Sequence, residues 1–209
     1  MAAARHPRII VMAKAPRPGL AKTRLAAALG DEGAARLAER MLRHAVRQAV
    51  RAGIGPVELR ITPDADHPAF EALVREHGIA LALQGDGDLG ARMEHALAQG
   101  LAHAPAAVVI GTDAPALDAA LLRAAARALA THEAVLVPAL DGGFVLLGLT
   151  RCPPGLLAGM QWSHARVLHD TRARLALAGL RVAELPALAD IDSPDDLQHL
   201  PSGWLDPRD

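Results

Sequence analysis

Four cations fall within the eleven residues Lys14–Arg24: Lys14, Arg17, Lys22 and Arg24. Lys14 and Lys22 are the only lysines, and arginine supplies the other 20 fixed positive charges. A flexible ammonium and a planar guanidinium hold phosphate oxygens differently, so both lysines in one loop mark it for attention. Gly19 relieves backbone crowding, and the N–H groups from Thr23 onward, at the start of a following helix, add donors. The loop reads as a cradle for the phosphates of a nucleotide, with a solvated surface loop as the bland alternative. It is neither the GxxxxGK[ST] nor the GxGxxG pattern.

Carboxylates recur where an oxygen-seeking cation could use them. Asp113 lies in the run Gly111-Thr112-Asp113-Ala114-Pro115, just past an apolar strand, and suits Mg²⁺ or Mn²⁺ bridging substrate phosphates. Asp192, in Asp190-Ile191-Asp192-Ser193-Pro194-Asp195, is its candidate partner, with Asp190 and Asp195 as neighbouring alternatives. Each would serve equally as a turn or helix cap. Asp141-Gly142-Gly143 has turn composition and lets backbone approach a ligand, and Asp141 is the candidate general base. Gln84, Asp86 and Asp88 form a polar loop able to touch a base or ribose. The ten histidines show no HExxH or other zinc spacing, and no GxSxG elbow occurs. Cys152 lacks a CxxC partner.

These residues need elements to position them. Ile9, Ile10 and Val11 predict a buried strand over Arg8–Ala13. A short helix over Lys22–Leu29 closes at Gly30, and Asp31 caps the next, whose Leu37, Met41, Ala45 and Ala49 form one apolar stripe ended by Gly53. Further strands are expected at Val57–Thr62, Ile79–Leu83, Ala107–Ile110, Glu133–Pro138 and Leu180–Leu185. Helices are expected at Pro68–Glu76, from Asp88 to Leu97, from Asp118 to Ala130, over Ser163–Ala178, and briefly after Ser193 with Pro194 at its first position. The alternation predicts an α/β fold, a three-layer, mostly parallel sheet with functional loops at the strands' carboxyl ends. Glu133–Leu147 is expected as a hairpin-like or antiparallel excursion. Trp162 is expected in the core or lining a pocket.

Composition narrows the classes. The 209 residues, 51% hydrophobic, suit one domain with a full core, with loose tails at 1–6 and 201–209. A formal charge of −1 gives no basis for binding a nucleic acid polymer, and two Phe, two Trp and no Tyr make no stacking platform. No stretch reads as a signal core or membrane span, so a cytoplasmic protein is expected. A homo-oligomer is compatible with the sequence.

Taken together, KAPRPGLAKTRL (14–25), QGDGDLGARM (84–93), GTDAPAL (111–117), PALDGGFVLLGL (138–149), WSHARVL (162–168) and DIDSPDDL (190–197) resemble the small GT-A-fold transferases linked to radical-SAM or selenodomain proteins. Members are often called glycosyltransferases of arsenosugar biosynthesis. The chain is more distantly similar to molybdenum-cofactor and phospholactate nucleotidylyltransferases. The resemblance implies a nucleotide-diphospho-sugar transferase fold, with substrate phosphates near Lys14, Arg17, Lys22 and Arg24 and the metal on Asp113 and Asp192. It implies an acceptor pocket bordered by Gly142, Gly143, Phe144 and Trp162. Phe144 stands where the family usually has tyrosine, and His164 where a smaller polar residue is expected. The activity it implies first is metal-dependent transfer of a sugar from a nucleotide sugar to a small acceptor. The alternatives are a nucleotidylyltransferase coupling an NTP to a small phosphorylated substrate, with pyrophosphate release, and a non-catalytic nucleotide-binding protein.

Overall fold

A computed structural model describes residues 6–205. The expected tail residues 1–5 and 206–209 lie outside the described residues. In chain order the elements are β1 (Arg8–Lys14), α1 (Ala26–Ala52), β2 (Val57–Thr62), α2 (Pro68–His77), β3 (Ala80–Leu83), α3 (Leu89–Leu101), β4 (Ala107–Ile110), α4 (Ala119–Ala128), β5 (Ala134–Pro138), β6 (Phe144–Leu149), α5 (Val167–Leu177) and β7 (Val182–Glu184), with 3₁₀ turns at Thr23–Leu25 and Pro194–His199.

The strands form one seven-stranded sheet in the order β3-β2-β1-β4-β6-β5-β7. Only β6 runs against its neighbours, pairing antiparallel with both β4 and β5. This is the excursion expected from Glu133–Leu147. It brings the start of β6 to the same sheet edge as the carboxyl ends of β1 and β4.

Alternation along the strands builds two cores. Ile9, Val11 and Ala13 face α1, α2 and α4 beside Leu42, Val46, Phe70, Leu73 and Leu122. Ile10 and Met12 face α3 and α5 beside Met93, Leu97, Leu168 and Leu175. Each face is apolar because each is covered, as a parallel sheet requires. A third cluster joins Leu25, Ala34, Leu37 and Met41 to Ile191, which is fully buried. It clamps the segment leading to Asp192 against the start of α1.

Local chemistry explains the boundaries. The two helices expected on either side of Gly30 run together as α1 across a kink, where Gly30 has φ 68° and ψ 166°. The Asp88 and Asp118 carboxylates accept hydrogen bonds from Ala91 N and Leu121 N, as N-caps. Ser193 and Asp196 form a capping box with Pro194 in the first turn. α5 begins at Val167 rather than Ser163, because Ser163 has φ 63° and His164 caps the turn through Nδ1, which accepts from Arg166 N. Residues 201–205 are not a loose tail: Trp204 packs edge-on against His44 at 5.2 Å, and Arg40 donates to Gly203 O.

Candidate functional site

A cleft of about 770 Å³ opens at the carboxyl ends of β1 and β4, where an open α/β sheet places its ligands. Lys14, Lys22, Thr23 and Arg24 line it, with Gln84, Gly111, Asp113, Asp141, Gly143, Phe144, Trp162 and Asp192. The fold thus gathers residues from six separate stretches of sequence.

Lys22 is the pivot. Its backbone adopts φ 50°, which turns the chain into the 3₁₀ turn and sends the side chain inward. The side chain is only 7% exposed, and its ammonium lies 2.9 Å from Asp113 Oδ1 and 3.7 Å from Asp192 Oδ1. It also donates to Ile191 O at 2.5 Å. Arg24 donates to Asp192 Oδ2 at 2.6 Å. The acid pair is held from behind: Ile191 N donates to Asp113 O, and Asp196 Oδ2 accepts from Asp192 N and from Ser193 N and Oγ.

Asp190 joins these acids in the cleft, whereas Asp195 is not among its lining residues. Burial, reinforced by the negative charge of Asp141 and then of Asp196 and Asp113, raises the Asp190 carboxyl to about 6. A crowd of carboxylates that raises one of its own members is a place where added positive charge is favourable. As a test for a divalent cation, the donor chemistry fits: Asp113 and Asp192 are hard oxygen ligands that Lys22 already bridges with a positive charge. Among the described residues, no group of three or more His, Cys, Asp or Glu side chains is arranged around a single point as a ready-made cage. Substrate phosphates and water would have to complete the coordination shell.

Other candidates take different places. Arg17 is absent from the cleft lining and donates in bidentate fashion to Asp64, at 2.8 and 2.6 Å. That pair pins the cationic loop to the turn after β2. Gly19 is exposed and also lies off the lining. Asp88 is the cap of α3, and Gln84 uses its amide N–H groups on Ala13 O and Arg60 O at the cleft floor. Gly142, with φ 93°, packs so closely on the turn before α5 that a Cβ would lie 2.2 Å from Ala165 O, so it shapes the wall from behind. Asp141 Oδ1 accepts from Gly143 N at 2.7 Å. His164 commits both ring nitrogens, Nε2 donating to Gln161 O and Nδ1 accepting from Arg166 N. Phe144 and Trp162 meet edge-to-face at 6.3 Å. Cys152 lies outside the cleft, where burial pushes its thiol up to about 11.

Sequence reasoning missed Arg92, which lines the cleft from the first turn of α3. The available signal was a cation placed where the helix dipole disfavours one, four residues after an aspartate cap.

Over 91% of this chain and 84% of the other, the structure matches that of a candidate nucleotide-diphospho-sugar transferase from Desulfovibrio desulfuricans G20, with 30% identity and a TM-score of 0.83. A nucleotidyl transferase from Methanothermobacter matches at 15% identity and TM-score 0.63, over 96% of this chain and 98% of its own. Rv0371c from Mycobacterium tuberculosis H37Rv, solved in complex with manganese, matches at 19% identity and TM-score 0.51, over 94% and 98%. The last two show the shared fold alone. No curated protein matches the chain. The Desulfovibrio relative and the shared fold support a GT-A-like, nucleotide-diphospho-sugar transferase-like architecture, without bringing selenodomain, arsenosugar or molybdenum-cofactor links. No helix among the described residues is long and apolar enough to cross a membrane. Residues 45–164 match the family described as uncharacterized protein conserved in bacteria (DUF2064), and the chain belongs to that family.

Proposed function

We propose that this chain is a metal-dependent nucleotidylyltransferase that joins an NTP to a small phosphorylated acceptor and releases pyrophosphate. The observation that carries the reading is the meeting of Lys14, Lys22 and Arg24 with Asp113 and Asp192 in one cleft at the carboxyl ends of β1 and β4. Asp113 and Asp192 would hold Mg²⁺ or Mn²⁺, which supplies charge neutralisation at the pyrophosphate oxygens. Lys14, exposed and without an ion-pair partner among the described residues, is free to take a phosphate oxygen. Lys22 and Arg24 can follow the charge that develops on the leaving pyrophosphate. An oxygen of the acceptor phosphate attacks the α-phosphorus, the bond from that phosphorus to the bridging oxygen breaks, and pyrophosphate leaves with the electron pair. Such a nucleophile is ionised near neutral pH and needs no base. That suits a cleft in which His164 has both nitrogens engaged and Asp141 is tied to its own turn.

Sugar transfer, the activity the sequence resemblance implies first, remains the second reading. It is favoured by the name of the Desulfovibrio relative. Its hydroxyl acceptor would have to lose a proton. The two readings separate in one assay of the full chain with Mg²⁺ or Mn²⁺. Nucleotidyl transfer predicts binding of an NTP and pyrophosphate release that depends on a phosphorylated acceptor. Tight binding of nucleotide sugars with no affinity for NTPs would overturn it in favour of sugar transfer. Indifference to every nucleotide would leave a binding or structural role. Asp113→Asn should remove the metal dependence of nucleotide binding without unfolding the chain.

A further inference from the structure

The wall of the cleft beneath α3 differs from the one bearing the acids. It is built by Met12, Met93, Phe144 and Trp162, which belong to or pack against the α3–α5 core, and by Arg92. No carboxylate among the described residues pairs with Arg92. The acid two positions on, Glu94, is consumed by the backbone N–H groups of Gly155 and Leu157. The wall therefore presents a guanidinium without a carboxylate, next to aromatic surface.

A ligand that answers an unmatched guanidinium must bring acceptors, and a guanidinium selects planar or tetrahedral oxyanions. We propose that this wall is the acceptor subsite, and that Arg92 selects an anionic acceptor by holding the phosphate that attacks. Phe144 and the indole face cover the organic body. The inference rests on the nucleotidyl-transfer reading for the role of that phosphate, but the anion site stands or falls by itself.

The chain's two tryptophans make the test direct. Trp204→Phe leaves Trp162 as the only indole, reporting from the proposed subsite. The full chain carrying this change is titrated with inorganic phosphate, with glycolate as a carboxylate and with glycerol as a neutral control. Mg²⁺ and a saturating NTP are present throughout, and NTP binding is measured separately by calorimetry. Phosphate should change Trp162 emission saturably, glycolate more weakly and glycerol not at all. Arg92→Gln should weaken the phosphate response about tenfold, and Arg92→Lys by less, with NTP affinity unchanged. A response to glycolate stronger than to phosphate would reassign the acceptor as a carboxylate and overturn the phosphate selection. Emission that ignores phosphate through the millimolar range would overturn the subsite, as would an Arg92→Gln chain that loses NTP affinity and keeps its phosphate response. If the NTP fails to bind while phosphate still acts through Arg92, the functional reading fails and the anion site survives.

Discussion

The molecule gathers charge in two places, and it treats them differently. On the α3 side of β2, Glu58 accepts from Arg8 at 2.8 Å and from Arg60 at 2.7 Å, and Arg60 donates onward to Gln99. Glu58 and Arg60 are both buried, and each finds an opposite charge. In the cleft, Asp113, Asp141, Asp190 and Asp192 crowd together, while Lys14 and Arg92 have no acid partner among the described residues. In the first cluster every charge is matched, although Arg8 Nε is buried without a hydrogen-bond partner. The second has its cations and anions partly unmatched, although both kinds are present. A fold that can satisfy Glu58 so fully could have paired Arg92 as well. The difference locates ligand binding more sharply than charge density alone does.

The largest way to break this comparison is at the closed cluster. Glu58→Ala leaves Arg60 buried without its carboxylate, and removing one partner of a buried ion pair costs about 3 kcal/mol or more. Urea denaturation should show that loss, with nucleotide affinity retained by the folded fraction. A variant as stable as the parent would show that the β2 network is as open as the cleft.

A smaller effect is expected at Lys22, whose ammonium already lies between Asp113 and Asp192. A divalent cation held on Asp113 and Asp192, as proposed, would compete with it for the same oxygens. Lys22→Met keeps the stem and removes the charge. Nucleotide-free Mn²⁺ affinity should rise about tenfold and NTP affinity fall by a similar factor, each about 1.4 kcal/mol in opposite directions. Both are read by calorimetry, with Mn²⁺ paramagnetic resonance as a check on the metal. A fall in both would mean that Lys22 organises the acids rather than competing for them.

Much of this arrangement was legible in the sequence because it rests on local chemistry. A β-branched run marked β1, and the Asp88 and Asp118 caps marked α3 and α4. The glycine kink at Gly30 divided α1 where expected. Strand-end position singled out Asp113, since in an alternating β/α chain the residue after β4 must sit at the sheet edge. Partnership across long separations was not legible. Arg17 and Arg24 look equivalent in the loop, yet Arg17 turns to Asp64, 47 positions away, and Arg24 to Asp192, 168 away. Arg92 escaped because helical periodicity names a face without saying what that face meets. The cleft beside it is made by Phe144 and Trp162, which reach it only through the antiparallel strand β6 and the turn before α5.

The finest test of the open cluster is its pH dependence, read at Asp190. Its carboxyl is raised from 3.8 to about 6, so the folded chain holds that proton more tightly than the unfolded chain does. Its contribution favours folding below the ordinary carboxyl value and is lost as pH rises through about 6. Asp190→Asn cannot ionise. Its melting temperature relative to the parent should therefore climb between pH 4 and 6 and stay level above. Half-exposure of the group limits the climb to about 3 °C. Saturating Mg²⁺ with an NTP should shrink the difference, since added positive charge relieves the repulsion from Asp141, Asp196 and Asp113 that helps hold the proton on. A difference that is flat with pH, or that survives the ligand unchanged, would mean that the cleft carboxylates are as well matched as those around Glu58.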